Sequence, residues 1–284
     1  QGGELILPPG WAPNGRERTV RMPGWYDPEQ KKWLEDRMQV GTYAGNMGWA
    51  MLALTAYYEK TGQVRYLAAA EKMGRWLVEN CRDERGAGGF TGGVEGWEPE
   101  QTKLLYKSTE HNLDLFAAFG RLHDLTKKDE WRIQANHALK FVSSMWDKAD
   151  GRFWTGTMED GLTIFKEVIP LDCQAWSVLA VPRARTTLMK ALEYAESNLR
   201  VGWGYDYNED CDGVWFEGTA QMAAAFHCSG QPAKARRLIE QLTRSCASSG
   251  GLAAADRDEL TTGFYLDSGD PWLYFNRIHV AATA

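Results

Sequence analysis

The chain has 284 residues, of which 44% are hydrophobic and 25% charged, a composition typical of a globular protein with one or two domains. No run approaches the roughly 18 consecutive apolar residues of a membrane helix, and the mean hydropathy is -0.46, so we expect no integral membrane protein. The net charge is -6 with scattered basic residues, which argues against nucleic-acid binding. The five cysteines are widely spaced and form no Cys-x-x-Cys pair, which disfavours a zinc site, and we expect no cofactor.

The first forty residues contain five prolines and several glycines, which predicts an irregular arm over residues 1–40. The amino terminus lacks the basic and apolar regions of a signal peptide, so the chain is either cytosolic or begins at a mature end. The sequence contains no Asn-x-Ser/Thr acceptor, which favours a bacterial source. The compartment stays open, with a periplasmic or secreted location favoured over the cytoplasm.

From Tyr43 onward, segments that are apolar almost all round alternate with segments that carry one apolar stripe. The first type predicts buried helices and the second predicts half-exposed helices. The predicted pairs are residues 43–62 with 64–80, 109–126 with 129–146, 171–181 with 185–199, and 216–230 with 233–248. A fifth apolar helix is predicted over residues 271–284.

This alternation predicts an all-α toroid over residues 41–284, with apolar helices inside and amphipathic helices outside. Long connections rich in Gly, Asp and aromatic residues join the hairpins, and such loops are usually functional. Four hairpins and one lone helix make the predicted ring incomplete at its C-terminal end. Either the natural chain continues beyond Ala284 or the proline-rich arm closes the ring.

Acidic side chains stand at the start of the predicted inner helices, and in a toroid these starts share one rim. Glu110 opens the second inner helix, Asp172 the third and Glu217 the fourth. Glycoside hydrolysis uses such a pair of carboxylates, one to protonate the leaving oxygen and one to activate water or attack the sugar. We therefore predict Glu110 and Glu217 as acid and base, with Asp172 as base or orienting group. The predicted substrate-binding residues are Tyr43, Asn46, Trp97, His111, Asp114, Trp154, Trp215 and Gln221.

A simpler interpretation is that each acid only caps its helix, because first-turn carboxylates offset the helix dipole by about 0.3–1 kcal/mol. That dipole would lower the pKa of a carboxyl, whereas a general acid needs a raised pKa. Burial against an aromatic ring would raise it, and Trp215 stands two positions before Glu217. His111 is either a substrate contact or a structural histidine.

The segment from Asp206 to Asp212 spaces oxygen ligands as calcium loops do. Asp206, Asn208, Asp210 and Asp212 are therefore weak calcium candidates. The EF-hand pattern fails, because Cys211 stands where that loop requires Gly. We favour a polar or sugar-binding rim loop without a metal, and either Asp210 or Asp212 remains open as a third catalytic carboxylate.

The segments GTYAGNMGWAMLAL, KSTEHNLDLFAAF, PLDCQAW and VWFEGTAQMAAAF, within the hairpin alternation from Tyr43 to Ala284, resemble the six-hairpin glycosidase superfamily. The resemblance implies an (α/α)6 toroid that acts on a bacterial oligosaccharide or polysaccharide through a carboxylate pair. It assigns no single family.

Related toroids provide the alternatives, which are polysaccharide lyases and sugar epimerases. A lyase would need a His or Tyr base together with Arg or Lys, and an epimerase of this type generally has histidines in the bowl. The acid-rich rim and the net negative charge argue against a lyase. The chain has only five histidines, and helix phase places His123 and His137 away from the helix starts, so a hydrolase is favoured over an epimerase. A non-catalytic glycan-binding protein is a further alternative. The predicted partner is a carbohydrate, and the oligomeric state stays open.

Overall fold

The computed structural model describes residues 25–27, 29, 31–34, 37–38, 40–96, 99–246, 251–266 and 269–278. Most of the predicted N-terminal arm therefore lies outside the described residues. In the part that is described, strand β1 (Trp25–Asp27) pairs antiparallel with β2 (Lys32–Leu34), so the arm is not irregular throughout. The division at residue 40 stays a prediction.

Eight helices form four hairpins in the described chain, which confirms the predicted alternation. The inner helices are α1 (Ala44–Thr61), α3 (Thr109–Thr126), α5 (Leu171–Ala180) and α7 (Phe216–Cys228). The outer helices are α2 (Val64–Asn80), α4 (Asp129–Ser144), α6 (Arg185–Asn198) and α8 (Pro232–Arg244), and a short 3-10 turn (Pro182–Ala184) precedes α6. None of these helices combines the length and the apolar character needed to cross a membrane.

Each inner helix packs against its own outer helix and against the next inner helix, giving the order α1, α3, α5, α7. Because each outer helix returns along its partner, the four inner helices run in the same direction and begin at one end of the bundle. The outer helices bury a single stripe, as in α8 with Ala235, Leu238 and Leu242. The predicted helical toroid architecture is confirmed over these four hairpins.

The core follows the inner helices in two clusters. One lies between α1, α2, α3 and α4, where Phe119 and Trp131 stack with ring centroids 5.9 Å apart. The other extends from α3 to α8 and includes Leu171, Met222 and Phe226. Trp131, on the apolar stripe of the outer helix α4, is thus a packing residue, with an exposed fraction of only 2%.

Short antiparallel strands lie directly before α1 and in the connections that follow the outer helices. The strands β3 (Thr42–Tyr43), β4 (Gly93–Glu95) and β5 (Thr102–Leu104) form a three-stranded sheet. The remaining ribbons are β6 (Trp146–Asp147) with β7 (Arg152–Phe153), β8 (Gly156–Thr157) with β9 (Ile164–Phe165), β10 (Arg200–Val201) with β11 (Gly204–Tyr205), and β12 (Leu260–Tyr265) with β13 (Pro271–Tyr274).

The prediction of a fifth helix from residue 271 is wrong where the structure describes it. Residues Pro271–Tyr274 form β13, which pairs with β12 so that Tyr274 lies opposite Leu260. A short apolar run fits a buried helix and a strand equally well, and aromatic residues with a proline at the first position favour the strand. Residues 279–284 of the predicted helix lie outside the described residues.

A repeated backbone hydrogen bond fixes the start of every inner helix. The first residue of the helix donates its N–H to a carbonyl in the loop that follows its own hairpin. The four bonds, 2.8–3.1 Å long, run from Ala44 to Gly92, Thr109 to Thr155, Leu171 to Tyr207, and Phe216 to Ala254. Each long loop therefore crosses the N-terminus of an inner helix, and together the loops wall one end of the bundle.

A second repeated contact joins the fourth residue of an inner helix to the preceding loop. Asn112 in α3 bonds both the N–H and the C=O of Phe90, at 2.8 and 3.0 Å. Its equivalent in α5, Gln174, bonds the same two groups of Phe153, at 2.9 and 3.0 Å. In α7 the hydroxyl of Thr219 bonds the backbone of Tyr205. These buried polar residues satisfy loop backbone groups that would otherwise lack partners.

Candidate active site

The three predicted catalytic acids occupy the same position, the second residue of successive inner helices. Glu110 holds it in α3, Asp172 in α5 and Glu217 in α7. Their charges act on one another, because the negative charges of Asp172, Asp114 and Glu217 all raise the pKa of Glu110. The fold thus brings residues from distant parts of the chain to one bowl at the N-terminal end of the inner helices.

Burial is the largest cause of the raised pKa values in this bowl. It raises the pKa of Glu110 well above the ordinary value, and the neighbouring carboxylates raise it further. Burial also raises the pKa of Asp172 to about 6, although Asp172 Oδ1 accepts a 2.5 Å hydrogen bond from the Cys173 N–H, which opposes the rise. At neutral pH the bowl therefore combines Glu110, whose raised pKa favours the protonated carboxyl, with Asp172, which is mostly ionised.

One helical turn deeper, the sixth residues of the inner helices form a second layer, which we call the floor. It consists of Trp49, Asp114, Trp176 and Gln221. The indole of Trp49 hydrogen-bonds to Asp114 and packs edge-on against Trp176, with ring centroids 5.3 Å apart. Gln221 Nε2 donates to Glu217 Oε1 at 3.4 Å, which links the floor to the layer of predicted catalytic acids above it.

Asp114 and Gln221 are buried, each with an exposed fraction of 5%. Within the described part of the chain, Asp114 Oδ2 and Gln221 Oε1 have no hydrogen-bond partner. Burial, and then the charge of Asp172, raises the pKa of Asp114 well above its usual range. Asp114 and Gln221, both predicted to bind substrate, therefore lie in the bowl, and each has one side-chain oxygen without a hydrogen-bond partner among the described residues.

His111 fills the space that α1 leaves open at its second residue, Gly45. A Cβ atom on Gly45 would lie 2.4 Å from His111 Cδ2, so the imidazole requires a glycine there. Burial lowers the pKa of His111 to about 4, which keeps the ring neutral at pH 7, and its Nδ1 has no partner among the described residues. Two predicted substrate-binding residues lie at the start of α1. The Tyr43 hydroxyl donates to Glu95 Oε1 at 2.7 Å, and Asn46 is exposed.

The predicted aromatic platforms take different positions. Trp215 is buried, and its ring stacks on that of the half-buried Tyr274, with ring centroids 5.8 Å apart. Trp154 is half-buried, and its ring is flanked by the cations of Arg152 at 4.4 Å and Lys166 at 5.0 Å. Trp97 lies outside the described residues.

Two tyrosines that the sequence analysis did not select also line the bowl. Tyr207, in the loop after β11, and Tyr274, at the end of β13, pack with ring centroids 5.9 Å apart. Burial and then the negative charges of neighbouring carboxylates, Asp172 and Glu110 among them, raise the pKa of both phenols, so both hydroxyls remain protonated donors. Tyr274 was missed because its segment was assigned to a helix, and nothing in the local sequence indicates which loop aromatic reaches the bowl.

The acidic loop, Asp206 to Asp212, brings carboxylate oxygens of Asp206, Asp210 and Asp212 within 4.8 Å of one another. Such a set of oxygens suits Ca²⁺. The same oxygens already accept backbone bonds, since Asp206 Oδ1 binds the Tyr207 N–H at 2.7 Å and Asp206 Oδ2 binds the Asp212 N–H at 2.6 Å. Asn208 holds the loop to Thr261 at 3.2 Å. A polar rim loop without a metal, as favoured from the sequence, remains our prediction.

No protein-family model and no curated protein matches the sequence. Solved structures are similar in fold. Cellobiose 2-epimerase from Spirochaeta thermophila DSM 6192 superimposes with a TM-score of 0.64 at 16% identity, over 81% of this chain and 64% of that chain. A possible member of the GH105 family from Klebsiella pneumoniae gives 0.59 at 16% identity, over 72% and 59%. A family 76 glycoside hydrolase (mannosidase) from Bacteroides thetaiotaomicron gives 0.51 at 16% identity, over 72% and 58%.

This chain spans about three fifths of the length of those proteins. At these identities the likeness concerns the fold, in which inner and outer helices alternate around a ring. The four described hairpins therefore have the α/α-toroid fold found in these sugar epimerases and glycoside hydrolases.

Proposed function

We propose that the protein is a glycoside hydrolase that cleaves a bacterial oligosaccharide or polysaccharide by carboxylate acid–base catalysis. The observation that carries this proposal is the pairing of Glu110, whose pKa is raised well above the ordinary value, with ionisable carboxylates in the same bowl. Two carboxyl groups whose environments separate their protonation states are what glycosidic cleavage requires.

In the proposed reaction, Glu110 donates its proton to the glycosidic oxygen as the bond to the anomeric carbon breaks. Glu217 takes a proton from water, whose oxygen adds to the anomeric carbon. Gln221 orients Glu217 through the 3.4 Å hydrogen bond, and Asp172 acts as an alternative base or keeps Glu110 protonated by its charge. The protonated hydroxyls of Tyr207 and Tyr274 are available as hydrogen-bond donors to sugar oxygens.

A sugar epimerase is the second candidate, favoured by the similarity to cellobiose 2-epimerase and by the neutral imidazole of His111 in the bowl. The other described histidines lie elsewhere. His137, on α4, bonds the backbone of Gly89, whereas His123 and His227 lie in the last turns of α3 and α7. Within the described part of the chain, one histidine lies among several carboxylates in the bowl, which fits hydrolysis better than proton exchange between two bases.

The test compares the wild-type chain with Glu110→Gln and Glu217→Gln on a panel of bacterial polysaccharides, measured by the release of reducing ends. Glu130→Gln is the matched control, because Glu130 is an exposed acid in the first turn of the outer helix α4. We expect the loss of general acid catalysis to lower kcat by about 10²–10⁴-fold in Glu110→Gln and to leave the control unchanged. Full activity in both Glu110→Gln and Glu217→Gln would refute the assignment of these two residues as acid and base.

Incubation of oligosaccharides in ²H₂O separates the two candidates. Hydrolysis shortens the chain and leaves carbon-bound hydrogens unlabelled. Epimerisation through proton abstraction beside a carbonyl keeps the chain length and introduces deuterium at carbon. Deuterium in products of unchanged length would favour the epimerase.

A further inference from the structure

The floor of the bowl holds buried oxygens that no group in the described chain satisfies. Asp114 Oδ2 and Gln221 Oε1 belong to side chains that are 95% buried, and both lie one turn below the catalytic carboxylates. A buried polar atom without a partner costs about 1–3 kcal/mol. Because these two atoms lie next to the candidate catalytic carboxyl groups, the geometry points to a ligand that supplies the missing partners.

The chemistry of the two oxygens limits what that ligand offers. An amide oxygen only accepts hydrogen bonds, so Gln221 Oε1 requires a donor. Asp114 accepts when it is ionised and donates when it is protonated. A sugar hydroxyl serves both, because it donates one hydrogen bond and accepts others. A ligand carboxylate offers no donor to Gln221.

Charge points the same way. The charges that act on the pKa of Glu110 and Asp114 are all carboxylates, and no basic side chain of the described residues contributes. A uronate held here would stand among like charges without a counter-ion, which is costly in a buried site. The rings of Trp49 and Trp176 offer the apolar surface on which the C–H face of a sugar packs.

Resting on the proposed function, we infer that this site binds an uncharged sugar ring whose hydroxyls hydrogen-bond to Asp114 and Gln221, and that it rejects uronates. The inference names the substrate class of the same bowl. The floor thus determines specificity, and the layer above it carries out the reaction.

The experiment measures binding to the full chain carrying Glu110→Gln, so that the ligand is not consumed. The probes are oligosaccharides of four to six residues from neutral glucans, mannans and galactans, and the same oligosaccharides oxidised at C6 to uronates. Saturation-transfer NMR and calorimetry at pH 7 provide the affinities. We expect at least one neutral oligosaccharide to bind at least about tenfold more tightly than its oxidised partner, since tenfold corresponds to about 1.4 kcal/mol.

Equal or tighter binding of the oxidised set would overturn the inference, as would no binding of either set. Asp114→Asn, added to the same protein, should weaken neutral binding by about tenfold, whereas Asp124→Asn should not, because Asp124 is exposed near the C-terminus of the same helix. Gln221→Met provides the same test if Asp114→Asn does not fold. If neither floor variant weakens the binding of neutral oligosaccharides, that result would also count against the inference.

The two proposals fail in different ways. Neutral oligosaccharides that bind selectively but are never hydrolysed by the wild-type chain would leave the inference standing without the hydrolase. Uronate oligosaccharides that are hydrolysed, with activity lost in Glu110→Gln, would keep the hydrolase and remove the inference.

Discussion

Replacing Asp172 by Asn should make the protein more stable at neutral pH. The folded pKa of Asp172 is about 6, whereas the ordinary value is 3.8. A carboxyl whose folded pKa is raised contributes stability below its unfolded pKa and loses it as the pH rises through the folded pKa. At about 1.4 kcal/mol for each pH unit, the ionised group costs about 3 kcal/mol at pH 7.

Asn is the suitable replacement, because its Oδ1 keeps the acceptor for the Cys173 N–H at the first turn of α5. The gain in the free energy of unfolding should be about 3 kcal/mol at pH 7 and about 1 kcal/mol at pH 4.5, where the wild-type side chain is protonated in the folded state. Urea denaturation at the two pH values measures both gains. Catalytic activity should fall in the same variant, since stored electrostatic strain is typical of active sites.

The alternative interpretation, in which Asp172 only caps its helix, predicts the opposite sign. Removing the charge of a cap loses a favourable dipole interaction and destabilises the protein by about 0.3–1 kcal/mol. Asp129→Asn is the reference for that behaviour, because Asp129 is an exposed acid in the first turn of α4, paired with Arg132 at 3.1 Å. A variant of Asp172 that loses stability at pH 7, as the reference should, would refute the electrostatic reasoning.

Three other predictions follow from the scaffold and the rim. Asn112→Leu should lower the free energy of unfolding in urea by about 3 kcal/mol, because it removes three hydrogen bonds of 2.8–3.0 Å at about 1 kcal/mol each; a loss below about 1 kcal/mol would contradict this. Gly45→Ala should displace His111 and weaken oligosaccharide binding. In Gly120→Ala the added Cβ meets no atom within 4 Å, so this variant should leave binding intact and raise the free energy of unfolding by about 0.5–1 kcal/mol. Equal oligosaccharide binding by both variants would count against the contact between Gly45 and His111. Chelation with EDTA should leave the melting temperature unchanged, because backbone N–H groups already hold the acidic loop, and a fall of several degrees restored by Ca²⁺ would establish a calcium site instead.

The sequence was informative wherever the chemistry follows helical phase. Glu110 and Glu217 stand at equal positions in two segments of the same type, so the alternation alone was enough to predict that they share a rim. Asp114 and Gln221 follow from the same phase, four residues later. The buried or half-exposed character of a helix depends on its own residues, so it is visible without knowledge of the partners.

The sequence was uninformative where one feature fits two structures or where the contact is remote. The run that contains Tyr274 is too short to distinguish a strand from a buried helix, and the strand assignment depends on pairing with Leu260. Asn112, Gln174 and Thr219 each hydrogen-bond to the backbone of the preceding loop. They are three different residue types in one role, so no sequence motif repeats.

The cap at the start of α3 uses a backbone donor that could otherwise lower the pKa of Glu110. The cap is Ser108, whose hydroxyl accepts the His111 N–H at 3.1 Å, so that donor is not offered to the Glu110 carboxylate. Ser108→Ala should release the N–H to the carboxylate, lower the pKa of Glu110 and shift the alkaline limb of the pH–rate profile to lower pH. The loss of the cap should also cost about 1 kcal/mol of stability. An alkaline limb that stays in place or moves to higher pH would show that Glu110 is not the group that titrates there.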